Sequence, residues 1–130
     1  MTTRDAISTD AAPAAAGPYS QAIRAGDLVF TAGQLGTDPA SGEFAGAGVS
    51  EQAEQAIANL AAILEAAGSG LDRLAKVTVF LVEIGDWPAV NEVYARMIPE
   101  PYPARSAFAV RDLPKGARVE IEAVAIASVG

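Results

Sequence analysis

Residues 103–126 read PARSAFAVRDLPKGARVEIEAVAI, and the pattern of this stretch decides the fold. Two apolar β-like runs flank a break at residues 114–116, which is typical of strand, turn and strand. Arg105 lies at the start of the first run, and Glu120 lies in the middle of the second. Because successive side chains of a strand point to opposite faces, we expect Glu120 to share one face with Glu122. Charged side chains on such apolar strands require an explanation.

Two interpretations of Arg105 and Glu120 follow from the residue types. The two side chains could form a cross-strand ion pair, which contributes little if it is exposed. Alternatively, Arg105 binds an anionic ligand, because its planar guanidinium matches a carboxylate through two parallel hydrogen bonds. Glu120 would then hold or activate a water molecule. The spacing alone leaves both interpretations open.

Length and composition indicate one soluble domain over residues 1–130. Apolar residues make up 51% of the chain, which favours a packed core over disorder. Residues 1–10 are polar, and we expect them to be flexible. We find neither an apolar run of eighteen residues nor a secretory signal, so the sequence predicts a cytoplasmic protein without a membrane span.

The missing residue types exclude several kinds of chemistry. The chain has no Cys and no His, which excludes thiol nucleophiles and serine–histidine catalysis and argues against a metal site. Carboxylates, Tyr, Lys and water remain as acid–base groups. The net charge of −7 and the nine scattered basic residues disfavour nucleic acid as a partner.

Hydrophobic periodicity predicts two helices and several strands. Gly26-Asp27 is a two-residue hairpin signal between β-like runs at 19–25 and 28–32. Apolar residues recur every three or four positions between Ser50, a candidate N-cap, and Gly68, a candidate helix end.

A central strand and a second helix follow. Residues 74–82 read as a strand, and its run 77–82 is apolar on both faces except at Thr78, which predicts a central strand whose second face is covered by a partner subunit. Asp86 is a candidate cap of the second helix, with Pro88 in its first turn. The order β-β-α-β-α-β-β predicts an α+β fold, a mixed sheet with two helices packed on one face.

Several short motifs resemble the RidA family, also called the YjgF/YER057c/UK114 family. They occur in the order and spacing of that family, from about residue 7 to the C-terminus. The matching stretches are Ala12-Pro13-Ala14-Ala15, Gly17-Pro18-Tyr19-Ser20-Gln21-Ala22, Thr31-Ala32-Gly33-Gln34, Thr37-Asp38-Pro39, Ser41-Gly42-Glu43, Lys76-Val77-Thr78-Val79-Phe80-Leu81, Pro103-Ala104-Arg105-Ser106 and Val119-Glu120-Ile121-Glu122.

The resemblance implies an architecture and an activity. The architecture is the chorismate-mutase-like fold, assembled as a homotrimer with ligand clefts between subunits. The activity is that of a 2-iminobutanoate/2-iminopropanoate deaminase, which hydrolyses reactive enamines and imines of the 2-aminoacrylate type to 2-keto acids and ammonia without a cofactor.

The resemblance also implies roles for individual residues. Arg105 would bind the substrate carboxylate, and Glu120 would hold the attacking water and pass protons to the leaving nitrogen. Tyr19 would cover the pocket, backbone groups of Ala32 and Ala107 would line it, and Asn91 would lie near it.

Two positions depart from the family pattern, since many members have Ser at position 32 and many deaminating members have Cys at position 107. A lost hydroxyl hydrogen bond is worth about 0.5–1.5 kcal/mol, so these changes could alter substrate choice without abolishing activity. A non-catalytic trimer that binds 2-keto acids and regulates a partner enzyme is the alternative function. An endoribonuclease activity is disfavoured by the acidic charge and the absence of His.

Overall fold

A mixed seven-stranded sheet with two helices on one face forms the fold, in a computed structural model that describes residues 3–127. The predicted α+β architecture is therefore confirmed. The strands are β1 Arg4–Ile7, β2 Ala22–Ala25, β3 Leu28–Thr31, β4 Gln34–Leu35, β5 Leu74–Leu81, β6 Ala104–Ala109 and β7 Val119–Ile126. The helices are α1 Val49–Ala66 and α2 Trp87–Met97.

The strand order places β5 between the two strands of the 103–126 stretch. The sheet runs β1-β2-β3-β7-β5-β6, and β4 also pairs with β7. All pairs are antiparallel except β5–β6. The predicted strand, turn and strand of residues 103–126 are confirmed as β6, the turn at 114–116 and β7, but β6 and β7 are both neighbours of β5 and not of each other.

Two short strands were missed by the sequence patterns. Residues 4–7, expected to be flexible, form β1 and pair along their whole length with β2. The pair Gln34–Leu35 forms β4 against Ile121 and Glu120 of β7. Strands this short carry little periodicity of their own, and backbone hydrogen bonds to a longer neighbour define them.

Helix α1 buries the apolar stripe that its periodicity predicts. Its fully buried side chains include Ile57, Leu60, Ile63 and Leu64. The helix begins two residues earlier than expected, after Gly48 instead of Ser50, with no side-chain cap. Its end is a Schellman motif, since Gly68 has φ 81° and the N–H groups of Gly68 and Ser69 donate to the carbonyls of Glu65 and Leu64.

Helix α2 begins at Trp87, with Pro88 in the first turn as predicted. Asp86 precedes it but does not cap it through its side chain. Its carboxylate instead accepts two hydrogen bonds from Arg118, at 3.0 and 2.8 Å. This ion pair joins the start of α2 to the start of β7, where Glu120 lies.

The sheet has one buried and one open face. On β7, Val119, Ile121, Ala123 and Ala125 are buried towards the helices, as the alternation predicts. The opposite face carries large, partly exposed apolar side chains, namely Leu28, Phe30, Phe108 and Ile126. Between residues 3 and 127, neither helix has the length and apolar character needed to cross a membrane.

Candidate active site

Arg105 is held by three side chains of α2. It lies opposite Val77 of β5, whose side chain is buried beneath the helices, so Arg105 points to the helix side of the edge strand β6. Its guanidinium carbon lies 4.5 Å from the centre of the Trp87 ring and 4.7 Å from that of Tyr94. One N–H group donates to Oδ1 of Asn91 at 2.8 Å. Stacking of this kind fixes the plane of the guanidinium group.

The Arg105 cavity is a space of about 330 Å³ beside this guanidinium, lined by Asn91, Tyr94, Tyr102 and Arg105 among others. The Tyr94 hydroxyl is buried and has no hydrogen-bond partner among residues 3–127. Burial raises the pKa of Tyr94, while the Arg105 charge lowers it and Tyr102 raises it. Apart from the bond to Asn91, no guanidinium N–H of Arg105 has an acceptor in the described chain. The remaining donors can therefore bind an anionic group.

Glu120 lies on the other side of the sheet. It faces Phe80 of β5, three residues from Val77, and this odd spacing places Glu120 and Arg105 on opposite faces. No Arg105–Glu120 ion pair exists among residues 3–127. The cross-strand ion-pair interpretation is therefore wrong for a single chain.

The Glu120 pocket is a cavity of about 440 Å³ in which Tyr19, Ala32 and Glu120 lie together. Burial raises the pKa of Glu120, and the Glu122 carboxylate raises it further. Within one chain Arg105 does not lower this pKa, because the sheet separates the two groups. A carboxyl group with a raised pKa exchanges protons more readily near neutral pH than an ordinary glutamate does.

Gly33 is a site residue that the sequence interpretation missed. A Cβ atom at this position would lie 2.4 Å from Oε2 of Glu120. The Glu120 carboxylate therefore lies directly against the backbone between β3 and β4, where any side chain would displace it. The Thr31-Ala32-Gly33-Gln34 motif was the available signal, but only the pairing of β4 with β7 brings it to Glu120.

Gly33→Ala is expected to lower kcat of the imine hydrolysis that the resemblance implies about tenfold. The added methyl group pushes the Glu120 carboxylate out of position. The fold should persist, since the atom in the way ends a flexible side chain. Steady-state kinetics and thermal melting of this variant check the prediction. Gly85→Ala, at a position with open space around it and no left-handed backbone, is the matched glycine control for activity. Unchanged kcat in Gly33→Ala would mean that the precise position of Glu120 is unimportant.

Tyr19 does not lie in a strand. It lies in the irregular segment 9–21, which we call the strap. Strand β2 begins only at Ala22, and the Tyr19 hydroxyl accepts a hydrogen bond from the N–H of Ala16 at 3.3 Å. Gln21, which is 3% exposed, ties this strap down through bonds to Thr9, Ala12 and Pro13. Tyr19 itself is 54% exposed at the rim of the Glu120 pocket.

The two alanines have different positions. Ala32 lines the Glu120 pocket, but its N–H already donates to the carbonyl of Gln21 at 2.9 Å. Ala107 packs against the helix-side core opposite Val79 and lines neither of the two cavities. Among residues 3–127, no cluster of three or more acidic side chains could hold a metal ion.

The predicted site residues therefore form two separate groups on one chain. Arg105 and Asn91 belong to the Arg105 cavity, whereas Tyr19, Ala32 and Glu120 belong to the Glu120 pocket. Sequence patterns gave no sign that Trp87 and Tyr94 hold Arg105, because both residues fit an ordinary apolar helix stripe. A site that uses both charged residues requires parts of more than one chain.

Comparisons with known proteins place these features in a family context. A family model described as Endoribonuclease L-PSP matches residues 9–127. The RutC family protein y4sK of Sinorhizobium fredii is 56% identical over 118 residues, which cover 91% of this chain and 94% of that protein. The 2-iminobutanoate/2-iminopropanoate deaminase of Bos taurus is 50% identical over 95% of this chain and 90% of its own.

A solved structure is also similar over almost the whole chain. The crystal structure of RidA from the Antarctic bacterium Psychrobacter sp. PAMC 21119 superposes with a TM-score of 0.91. The two chains are 47% identical, and the match covers 94% of this chain and 98% of that one.

Proposed function

The chain belongs to the RidA/YjgF family, and from this premise we propose that it hydrolyses reactive enamines and 2-imino acids to 2-keto acids and ammonia. The observation that carries this proposal is the 50% identity, over 95% of the chain, to a protein named 2-iminobutanoate/2-iminopropanoate deaminase. The two cavities supply the groups that such a reaction needs. Arg105 is a cation that can bind the substrate carboxylate, and Glu120 is a carboxylate that can accept a proton from water.

Each step of the proposed reaction uses a group in one of the cavities. Arg105 binds the carboxylate of the imino acid, whose imine nitrogen is protonated, and Glu120 accepts a proton as water attacks the imine carbon. The resulting carbon bears a hydroxyl and an amino group. Glu120 then returns the proton to the amino nitrogen and takes the proton of the hydroxyl as the carbon–nitrogen bond breaks, so that ammonia leaves as the carbonyl forms. Water is the only other reactant, so the reaction needs no cofactor.

An assembly of three subunits is part of the proposal. Phe30 and Phe108 are 44% and 46% exposed on the open face of the sheet, where a partner subunit would cover them. Arg105 and Glu120 lie on opposite faces, so a second copy must bring its Arg105 to the Glu120 pocket of the first. Clefts between subunits satisfy both requirements.

Light scattering at micromolar concentration is expected to give a mass of three times 13.2 kDa. The reason is that the open face of the sheet exposes too much apolar surface for a stable monomer. Phe108→Asp, which introduces a charge on that face, should reduce the mass and the activity together, while Arg111→Asp on an exposed loop should change neither. A folded wild-type protein with a monomeric mass would contradict the proposed clefts.

A steady-state assay with freshly generated 2-iminopropanoate tests the proposed activity. We expect the protein to accelerate pyruvate and ammonia formation above the spontaneous rate in the same buffer. Binding of pyruvate without any acceleration would instead support a 2-keto-acid sensor. A parallel incubation with single-stranded RNA tests the activity suggested by the family description, and we expect no cleavage because only nine basic residues serve a chain of net charge −7.

A further inference from the structure

The turn Pro114–Gly116, between β6 and β7, holds a lysine in an unusual backbone conformation. Lys115 has φ 59° and ψ 19°, and it is the only non-glycine residue with positive φ in the described part of the chain. A residue with a Cβ atom adopts this left-handed region at an energetic cost, and such residues cluster at functional sites. The conformation at position 115 therefore points to a role for the side chain.

Lys115 lines the Glu120 pocket. Among residues 3–127, it is the only basic side chain that lines the pocket, and Glu120 is the only acidic one. The side chain is exposed, and no hydrogen bond or ion pair joins it to any residue from 3 to 127. Arg118 and Arg96, in contrast, are each paired with a carboxylate. The Lys115 ammonium group is thus free to meet a ligand.

We propose that Lys115 is a specificity-determining residue of this site, whose ammonium group favours 2-imino acids with an anionic side chain over those with a cationic one. The inference rests on the proposed function. Arg105 is assigned to the carboxylate that every 2-imino acid carries, so Lys115 is left to interact with the rest of the molecule. Lys115 is the only cation that the described part of this chain contributes to the pocket wall, so its loss changes the local potential there.

The test compares three substrates in Lys115→Asn, because Asn tolerates positive φ but carries no charge. The substrates are the 2-imino acids derived from alanine, glutamate and arginine. We expect kcat/KM for the glutamate-derived substrate, relative to the alanine-derived one, to fall about three- to tenfold, the scale of a partly screened charge interaction. The arginine-derived substrate should gain in relative terms, and added salt should shrink both differences.

Three further variants separate a charge effect from a turn effect. Lys115→Arg keeps the charge and should restore the wild-type preference. Lys115→Gly removes both the charge and the backbone cost, so it should shift the preference like Lys115→Asn without lowering the melting temperature. Arg73→Gln also removes one positive charge, but from an exposed residue outside the pocket, so it should leave the substrate preference unchanged.

The inference would be overturned if kcat/KM of Lys115→Asn changed by the same factor for all three substrates, or changed for none of them. A lower melting temperature with a uniform loss of activity would assign Lys115 to the turn alone. If the wild-type protein hydrolyses none of the substrates, the proposed function fails. In that case the affinities of wild type and Lys115→Asn for pyruvate and 2-oxoglutarate test the role of Lys115. If the ratio of the two affinities is the same in both proteins, Lys115 does not determine ligand preference.

Discussion

Glu120→Gln is expected to lower kcat about 100-fold or more while leaving the protein folded and assembled. Glutamine keeps the size and the hydrogen-bonding oxygen of the side chain but cannot take up a proton. Binding of pyruvate should persist, because the carboxylate of the ligand is assigned to Arg105 of another copy. Kinetics, calorimetry and thermal melting on this one variant give the three values needed.

Glu122→Gln is the matched control, since Glu122 lies on the same strand and face but does not line the pocket. This control should keep most of the activity. It removes one of the two causes that raise the pKa of Glu120. An unchanged kcat in Glu120→Gln would exclude Glu120 as the group that moves protons.

The same carboxyl group determines the expected pH dependence. Because burial raises its pKa, Glu120 stays protonated to a higher pH than an ordinary glutamate, and a protonated carboxyl cannot accept a proton from water. We therefore expect kcat/KM to fall with decreasing pH through a pKa above the ordinary range. This acidic limb should move to lower pH in Glu122→Gln and vanish in Glu120→Gln.

Arg105→Ala is expected to lower kcat/KM about 100-fold or more, because two charge-assisted hydrogen bonds to the substrate carboxylate are lost. Arg105→Lys should recover only part of this loss, since a point charge cannot reproduce the planar pair of donors or the stacking between Trp87 and Tyr94. The measurements are kcat and KM with 2-iminopropanoate, together with the affinity for pyruvate.

Arg96→Ala is the control for Arg105→Ala. Arg96 is an exposed arginine near the end of α2 whose partner is Glu54, and its loss should leave kcat/KM unchanged. The melting temperature of Arg105→Ala should fall only slightly, because exposed cation–π contacts contribute about 0.5–1 kcal/mol. Normal turnover by Arg105→Ala would refute the assignment of the carboxylate to this residue.

Hydrophobic periodicity along the chain predicted the fold well. The site was predicted less well, because its residues are distant in sequence and meet only in the folded structure. The apolar stripe of α1 and the alternation of apolar and polar residues in β7 are visible in the sequence. A helix or strand with one buried face needs apolar residues at the period of that face. Strand β4 was missed because its two residues carry no period.

The same limit applies within the candidate site. Arg105 and Glu120 stood out as charges on apolar strands, but their separation by β5 is a matter of strand order, which no local pattern encodes. Gly33 and Lys115 escaped notice for the same reason, since each acquires its meaning only where β7 and its neighbouring loops meet.

The placement of Arg105 and Glu120 on opposite faces of the sheet also has a genetic consequence. If each cleft takes its arginine from one subunit and its glutamate from another, an allele lacking Arg105 and an allele lacking Glu120 are each inactive alone. Co-expressed, they form mixed assemblies in which some clefts combine the intact arginine of one product with the intact glutamate of the other. The two alleles would then complement each other, and neither would be fully dominant over the wild type.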